Sequence, residues 1–285
     1  MNFIAQILPD SLGKLIGLRE LFLDGNFLVG TLPSDCGKCV QLESLDLYYN
    51  ILSGTIPTEI GSLSNLKSAQ LETNFFSGTI PSEIGLWSKI LHLNMGNNTL
   101  AGFIPTDIGN CQKLTYLDLF LNLLTGSLPT EIGLLTNAGY LYFDHNFLQG
   151  TLPRELADLH ASLTVLWIMS NKFSGTLPSE IGRLSKLTDF KLSENSFTGR
   201  LPTEFGLLHN AVEIDLASNS LSGTIPSELG NLHRLRSLYL HNNSFTGSMP
   251  AEICDLVNAG SHTLTNLTVD CATVLCECCS CGTEK

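Results

Sequence analysis

Basic residues are scarce in this chain. Its 285 residues hold 15 Lys and Arg against 27 Asp and Glu, for a net charge of −12. Phosphate backbones and anionic lipid are both held by clustered cations, so neither nucleic acid nor an acidic membrane surface is an expected partner. No run of 18 apolar residues occurs, which leaves no membrane segment in the chain itself. The opening MNFIAQILPD has neither a basic start nor a long apolar core, so it does not read as a secretion signal. Paired C-x2-C hooks, HExxH, a nucleophile elbow, a P-loop and a kinase loop are all missing. No catalytic residues, metal or cofactor are therefore expected. Low charge does not mean disorder, because hydrophobic residues make up 43% of the chain and charged ones 15%.

What the chain has is repetition. Residues 42–66 read LESLDLYYNILSGTIPTEIGSLSNL, and most of the rest copies them. An asparagine recurs at Asn26, Asn50, Asn74, Asn98, Asn122, Asn146, Asn171, Asn195, Asn219 and Asn243, at steps of 24 with one step of 25. All 11 prolines share one register, from Pro9 to Pro250. From Gly30 to Gly247 a glycine stands three places before each proline. A fixed period of this length marks a stacked solenoid with one continuous core.

Each part of the unit has a physical task. The LxxLxL run is a short strand with its leucines turned inward. The asparagine offers donors and an acceptor to backbone groups where the chain bends away. Glycine permits the next corner, and the segment before proline can be a second short strand. A brief helical or 3-10 turn returns along the other side. Ten of the 27 acids fall just after the proline, from Asp35 to Glu252. With the preceding Ser or Thr as N-cap, they are expected to start that helical turn. The 25-residue step carries Ala157 in place of glycine and predicts a longer helix over residues 155–160.

Both ends depart from the unit. Asn2 lies 24 residues before Asn26, and Leu8-Pro9 matches Leu32-Pro33, so the chain opens in mid-repeat. This predicts an N-terminal truncation, with a signal or membrane anchor possible upstream. The repeats are expected to form one solenoid over residues 1–250. Residues 251–285 read as a cysteine-rich cap containing Cys254, Cys271, Cys276, Cys278, Cys279 and Cys281. Six cysteines allow 15 pairings, and the sequence does not choose among them. A zinc site is the rival reading, against which stands the lack of two separated C-x2-C hooks. Cys36, Cys39 and Cys111 fall in core columns and read as small buried residues, with a Cys36–Cys39 bridge as the minority alternative. Sequons at Asn97, Asn242 and Asn266 mark glycosylation candidates.

Subtracting the repeat leaves residues with no packing reason for their identity. Outward strand positions hold Tyr48, Tyr49, Tyr116, Phe120, Tyr140, Tyr142, Trp167 and Met169, with His92, Asp118, Asp144 and His145 beside them. An apolar patch rimmed by polar groups marks a binding face, although cross-strand aromatic pairs can also serve the sheet alone. The residue after each corner glycine forms a threonine row of the kind an ice lattice could match, but Phe103 and Arg200 interrupt it.

The columns LxxLxLxxNxLxGxIPxEIGxLxx resemble the plant-type, 24-residue leucine-rich repeat over residues 2–250. The cysteine ending resembles the caps of extracellular repeat proteins of plants and algae. The resemblance implies an α/β fold, a right-handed leucine-rich-repeat solenoid. In such a solenoid a parallel β-sheet lines the concave face and short helical or 3-10 turns the convex face. It also implies a receptor-like, extracellular or cell-surface module that binds a protein, peptide or glycan on the concave face and carries no reaction. A secreted inhibitor of cell-wall hydrolases and an intracellular scaffold are the alternatives.

Overall fold

The computed structural model describes residues 6–258 and 264–281. It divides into two compact units, Met1–Phe147 and Leu148–Lys285. The first five residues, with the Asn2 register match, lie outside the described part.

One turn of the N-terminal unit shows how the sequence is spent. Strand Ser44–Asp46 is followed by Asn50, strand Ile51–Thr55, Pro57 and a 3-10 helix at Thr58–Ser62. Leu45, Leu47, Leu52, Ile56, Ile60, Leu63 and Leu66 are all buried. Strands of the first sheet pair in parallel at a step of 24 residues, as in Ser44 with Ser68 and Tyr116 with Tyr140. The second sheet is also parallel, with Gly30 opposite Leu52 and Gly54 opposite Phe76. The C-terminal unit repeats this pattern, with Val165 opposite Asp189 in its first sheet and Ser174 opposite Ser196 in its second. This is a leucine-rich-repeat solenoid built from parallel strands and 3-10 turns.

The asparagines join neighbouring turns. Asn74 is buried, and its Nδ2 donates to the carbonyls of Leu47 (2.9 Å), Leu71 and Glu72 (both 3.3 Å). Its Oδ1 accepts the Leu52 N–H at 3.0 Å. The residue before each ladder asparagine adopts a left-handed backbone, at Tyr49, Thr73, Asn97, Leu121 and His145 in the N-terminal unit. Such φ values are costly for bulky and β-branched side chains. Here the ladder imposes them whatever residue is present.

The expected N-caps are not formed. Proline occupies the cap position of the 3-10 helices, Pro57 among them, and no side-chain cap bond forms. The Pro57 carbonyl accepts the Ile60 N–H at 3.1 Å. Thr58 instead directs its hydroxyl to the adjacent Glu59 carboxylate at 3.4 Å. A five-residue 3-10 turn entered from an extended proline leaves a Ser or Thr inside the helix rather than ahead of it. The exceptional turn does hold a longer 3-10 helix, Arg154–Leu159.

At its far end the C-terminal unit changes character. An α-helix, Ala251–Asn258, replaces the 3-10 turn, and strand Asn266–Val269 pairs with Ser237–Tyr239. Disulfides join Cys254 to Cys278, Cys271 to Cys281 and Cys276 to Cys279. Cys36, Cys39 and Cys111 are free and buried. Cys39 and Cys111 direct their thiols to the Leu12 and Ile84 carbonyls at 3.4 and 3.3 Å. Burial pushes the Cys36 and Cys111 thiols up to about 12, so they are core groups rather than nucleophiles. Among the described residues no helix is long and apolar enough to cross a membrane.

Candidate ligand-binding face

Alternation along each short strand turns the flanking residues outward. In the N-terminal unit this brings aromatic residues of successive turns together. The Tyr116 ring lies 6.4 Å from His92, 6.0 Å from Tyr140 and 5.5 Å from Tyr142. Tyr140 is exposed, whereas Tyr116, Tyr142 and Phe120 are half-buried. Gly96 makes room for Phe120, since a Cβ there would meet its ring at 2.3 Å. Tyr48 and Tyr49 form a separate exposed pair, 5.8 Å apart, nearer the ladder.

Asp118 and Asp144 are not the exposed groups that strand alternation suggests. Both are buried. Asp118 Oδ1 accepts the Phe120 N–H at 2.9 Å, and Oδ2 accepts the Tyr116 hydroxyl at 3.0 Å. Asn94 and Asp46 hold their own turns in the same way, through the N–H groups of Gly96 and Tyr48. This is the Asx arrangement, with a side chain standing in for a backbone turn. Asp144 Oδ2 meets His145 Nδ1 at 2.9 Å, while its Oδ1 is buried with no hydrogen-bond partner. Glu72 Oε2 is likewise buried and unpartnered. Burial, aided by the nearby charges of Asp46 and Asp118, pushes Glu72 up to about 7. Burial also lifts Asp118 to about 6, against the bonds it receives from Phe120 and Tyr116. Desolvation likewise raises Tyr116 well above the usual phenol value, with the Asp118 charge adding to it.

The C-terminal unit arranges its strand residues differently. Lys191 Nζ sits 4.6 Å above the Trp167 ring and 3.1 Å from Glu213. Met169 is half-buried and Val165 is buried. Of the sequon asparagines, Asn97 is half-buried and donates to Thr73 Oγ1 at 3.3 Å. Asn242 and Asn266 are exposed and donate to the Ser218 and Ser237 hydroxyls.

Sequence reasoning missed one surface. The residue after each ladder asparagine is Phe27, Ile51, Phe75, Thr99, Leu123 and Phe147 in the N-terminal unit, but Lys172, Ser196, Ser220 and Ser244 in the C-terminal unit. The five apolar members of this column are 42% to 56% exposed. Phe27, Tyr49, Ile51 and Phe75 line a hollow of about 340 Å³, with Asn97 at its edge. The signal was a column whose composition changes between the units.

Six stretches match the Leucine Rich Repeat family model, at residues 17–39, 41–63, 89–111, 162–184, 210–232 and 234–256. With the parallel sheets and 3-10 turns, they make the chain a leucine-rich-repeat protein. Its solved neighbours include plant receptors. The Arabidopsis receptor kinase HAESA, solved with the peptide hormone IDA and the co-receptor SERK1, is 34% identical with a TM-score of 0.82, covering 94% of this chain and 44% of that one. The TDR receptor gives 31% identity and a TM-score of 0.87, covering 95% and 46%. A plant ice-binding protein gives 25% identity and a TM-score of 0.71, covering 93% and 84%. The chain thus spans less than half the length of the receptors it matches. The search of curated proteins returns no match.

The pressure on Glu72 is measurable. Below about pH 4.5 the group is protonated folded and unfolded, and its burial carries no ionic penalty. As pH rises toward 7, the unfolded chain ionises first and stability falls. Glu72→Gln is therefore expected to raise stability by roughly 1–2 kcal/mol at pH 8 and by little at pH 4.5. Thermal unfolding of both proteins across that range checks it; a parallel offset at every pH contradicts it.

Proposed function

We propose that this chain is a non-catalytic recognition module that binds an extended peptide on the strand face of its N-terminal unit. One observation carries the reading. Tyr116, Tyr140 and Tyr142 form a continuous aromatic surface beside buried carboxylates, with an apolar column running along its flank. Aromatic residues with a polar handle are the side chains that dominate binding energy at interfaces. Exposed parallel strands present alternating side chains to a ligand lying across them. Two matched plant receptors were solved with peptide hormones, which supports a peptide over a glycan. The three cap disulfides support an extracellular or cell-surface setting.

Selection of a random dodecapeptide library on the intact chain tests the reading. Peptides retained by the native protein should bind Tyr140→Ala/Tyr142→Ala at least tenfold more weakly, because two rings at the centre of the face are removed. The variant should keep its thermal midpoint within a few degrees. Unchanged affinity for every selected peptide would refute the face.

A further inference from the structure

We propose that the tyrosine–carboxylate face of the N-terminal unit receives a cationic side chain, the guanidinium or ammonium of an arginine or lysine in its peptide ligand. This rests on the recognition reading above and names the chemistry of what is recognised.

The first observation is charge. The outward positions on and just after the first-sheet strands of this unit hold Glu20, Asp24, Asp46, Glu72, Asp118 and Asp144, and no Lys or Arg. The second is incomplete hydrogen bonding. Glu72 Oε2 and Asp144 Oδ1 are buried without partners, an arrangement that is expensive for a carboxylate and is relieved by an arriving donor. The surrounding carboxylates of Asp46 and Asp118 add repulsion at Glu72. The third is aromatic. Tyr116 gives its hydroxyl to Asp118 and packs against the Tyr140 and Tyr142 rings, and a ring face attracts a cation.

A fourth observation identifies the occupant. In the C-terminal unit the chain supplies its own cation to such a place, with Lys191 between the Trp167 ring and the Glu213 carboxylate. The N-terminal face has the rings and the acids, while its nearest cations, Arg19 and Lys67, stand ahead of the strands and are paired with Glu43. A metal ion fits less well. Among the described residues no three carboxylates come within ligating distance of a common point; the one such group is Cys254, Cys276 and Cys278, whose sulfurs are in disulfides.

Spacing sharpens the claim. Glu72 and Asp144 occupy equivalent positions three turns apart, which at the usual strand separation is about 14 Å. An extended peptide covers that span in about four residues. The probe is a capped Ser/Gly nonapeptide with two arginines four residues apart, compared with the same peptide carrying citrulline. Fluorescence anisotropy on the intact protein at physiological salt should show the arginine peptide binding at least tenfold more tightly. Glu72→Gln/Asp118→Asn should cost at least fivefold. Asparagine is tolerated at this position, since Asn94 already accepts the Gly96 N–H at 3.0 Å one turn away. Glu59→Gln/Glu83→Gln/Glu131→Gln, on the 3-10 turns, should change affinity less than twofold. Equal binding of the citrulline peptide, or equal losses in the two variants, overturns the inference. If library peptides depend on Tyr140 and Tyr142 but bind as well without basic residues, the cation site falls and the recognition face stands.

Discussion

Asn74→Ala is expected to destabilise the protein by about 3–5 kcal/mol. The side chain makes four hydrogen bonds, to the carbonyls of Leu47, Leu71 and Glu72 and from the Leu52 N–H. Leu47, Leu52 and Leu71 are fully buried. Alanine thus deletes the bonds and strands their backbone partners away from water, which costs more than the bonds were worth. Two turns lose contact at once, because Leu47 and Leu52 belong to the preceding turn. Asn26 offers the contrast. It is exposed and donates within its own turn to Leu23 and Asp24, so Asn26→Ala should cost under about 1 kcal/mol. Urea unfolding of both variants measures the difference; equal losses would show that the ladder is not cooperative between turns.

Gly37→Ala should be nearly as damaging, at about 2–4 kcal/mol, for a steric reason. An added Cβ would stand 2.2 Å from the Glu59 carbonyl oxygen and 2.7 Å from its carbon. Those atoms are backbone and cannot swing aside. The two turns cannot separate on that side without disturbing sheet register on the others. Gly17 has nothing within 4 Å of the same added atom. Gly17→Ala should therefore stay within about 0.5 kcal/mol of the native protein. The chain offers its own comparison at Ala157, where the glycine is absent and the 3-10 helix is one residue longer. Denaturant midpoints of the two glycine variants, compared at equal slope, decide the matter.

The period made the strands, the core and the asparagine ladder legible before any coordinates, because each rests on side-chain identity at a fixed spacing. The left-handed column at Tyr49, Thr73, Asn97, Leu121 and His145 was not legible. Asn97 and His145 tolerate such a backbone, but Tyr, Thr and Leu do not favour it, and the ladder forces it on them. Failure of the Ser/Thr N-cap has a similar origin, since proline already directs entry to the turn. Asp118 and Asp144 were expected among the exposed residues beside the strands and are buried. Alternation gives the direction of a Cβ and says nothing of the rings that close over a carboxylate. Disulfide pairing depends on proximity that six crowded cysteines do not encode. The apolar column from Phe27 to Phe147 was visible residue by residue. Single exposed apolar side chains are ordinary, however, and only the column made them a surface.

One structural feature of the C-terminal unit bears on any attempt to lengthen or shorten such a stack. Past each strand, the N–H groups leading into the ladder look toward the following turn: Leu23 to Asp46, Gly25 to Tyr48, Leu28 to Asn50. A stack cut after any turn therefore presents a row of unfilled donors. At the last ladder asparagine the Asp270 carboxylate takes that row, accepting the Asn242 N–H at 2.7 Å and the Asn243 N–H at 2.9 Å. One acidic side chain thus replaces two main-chain acceptors of a turn that does not follow. The stack has a chemical polarity. Repeats can be spliced in ahead of the closing acid, whereas a graft placed after it must first bring acceptors of its own.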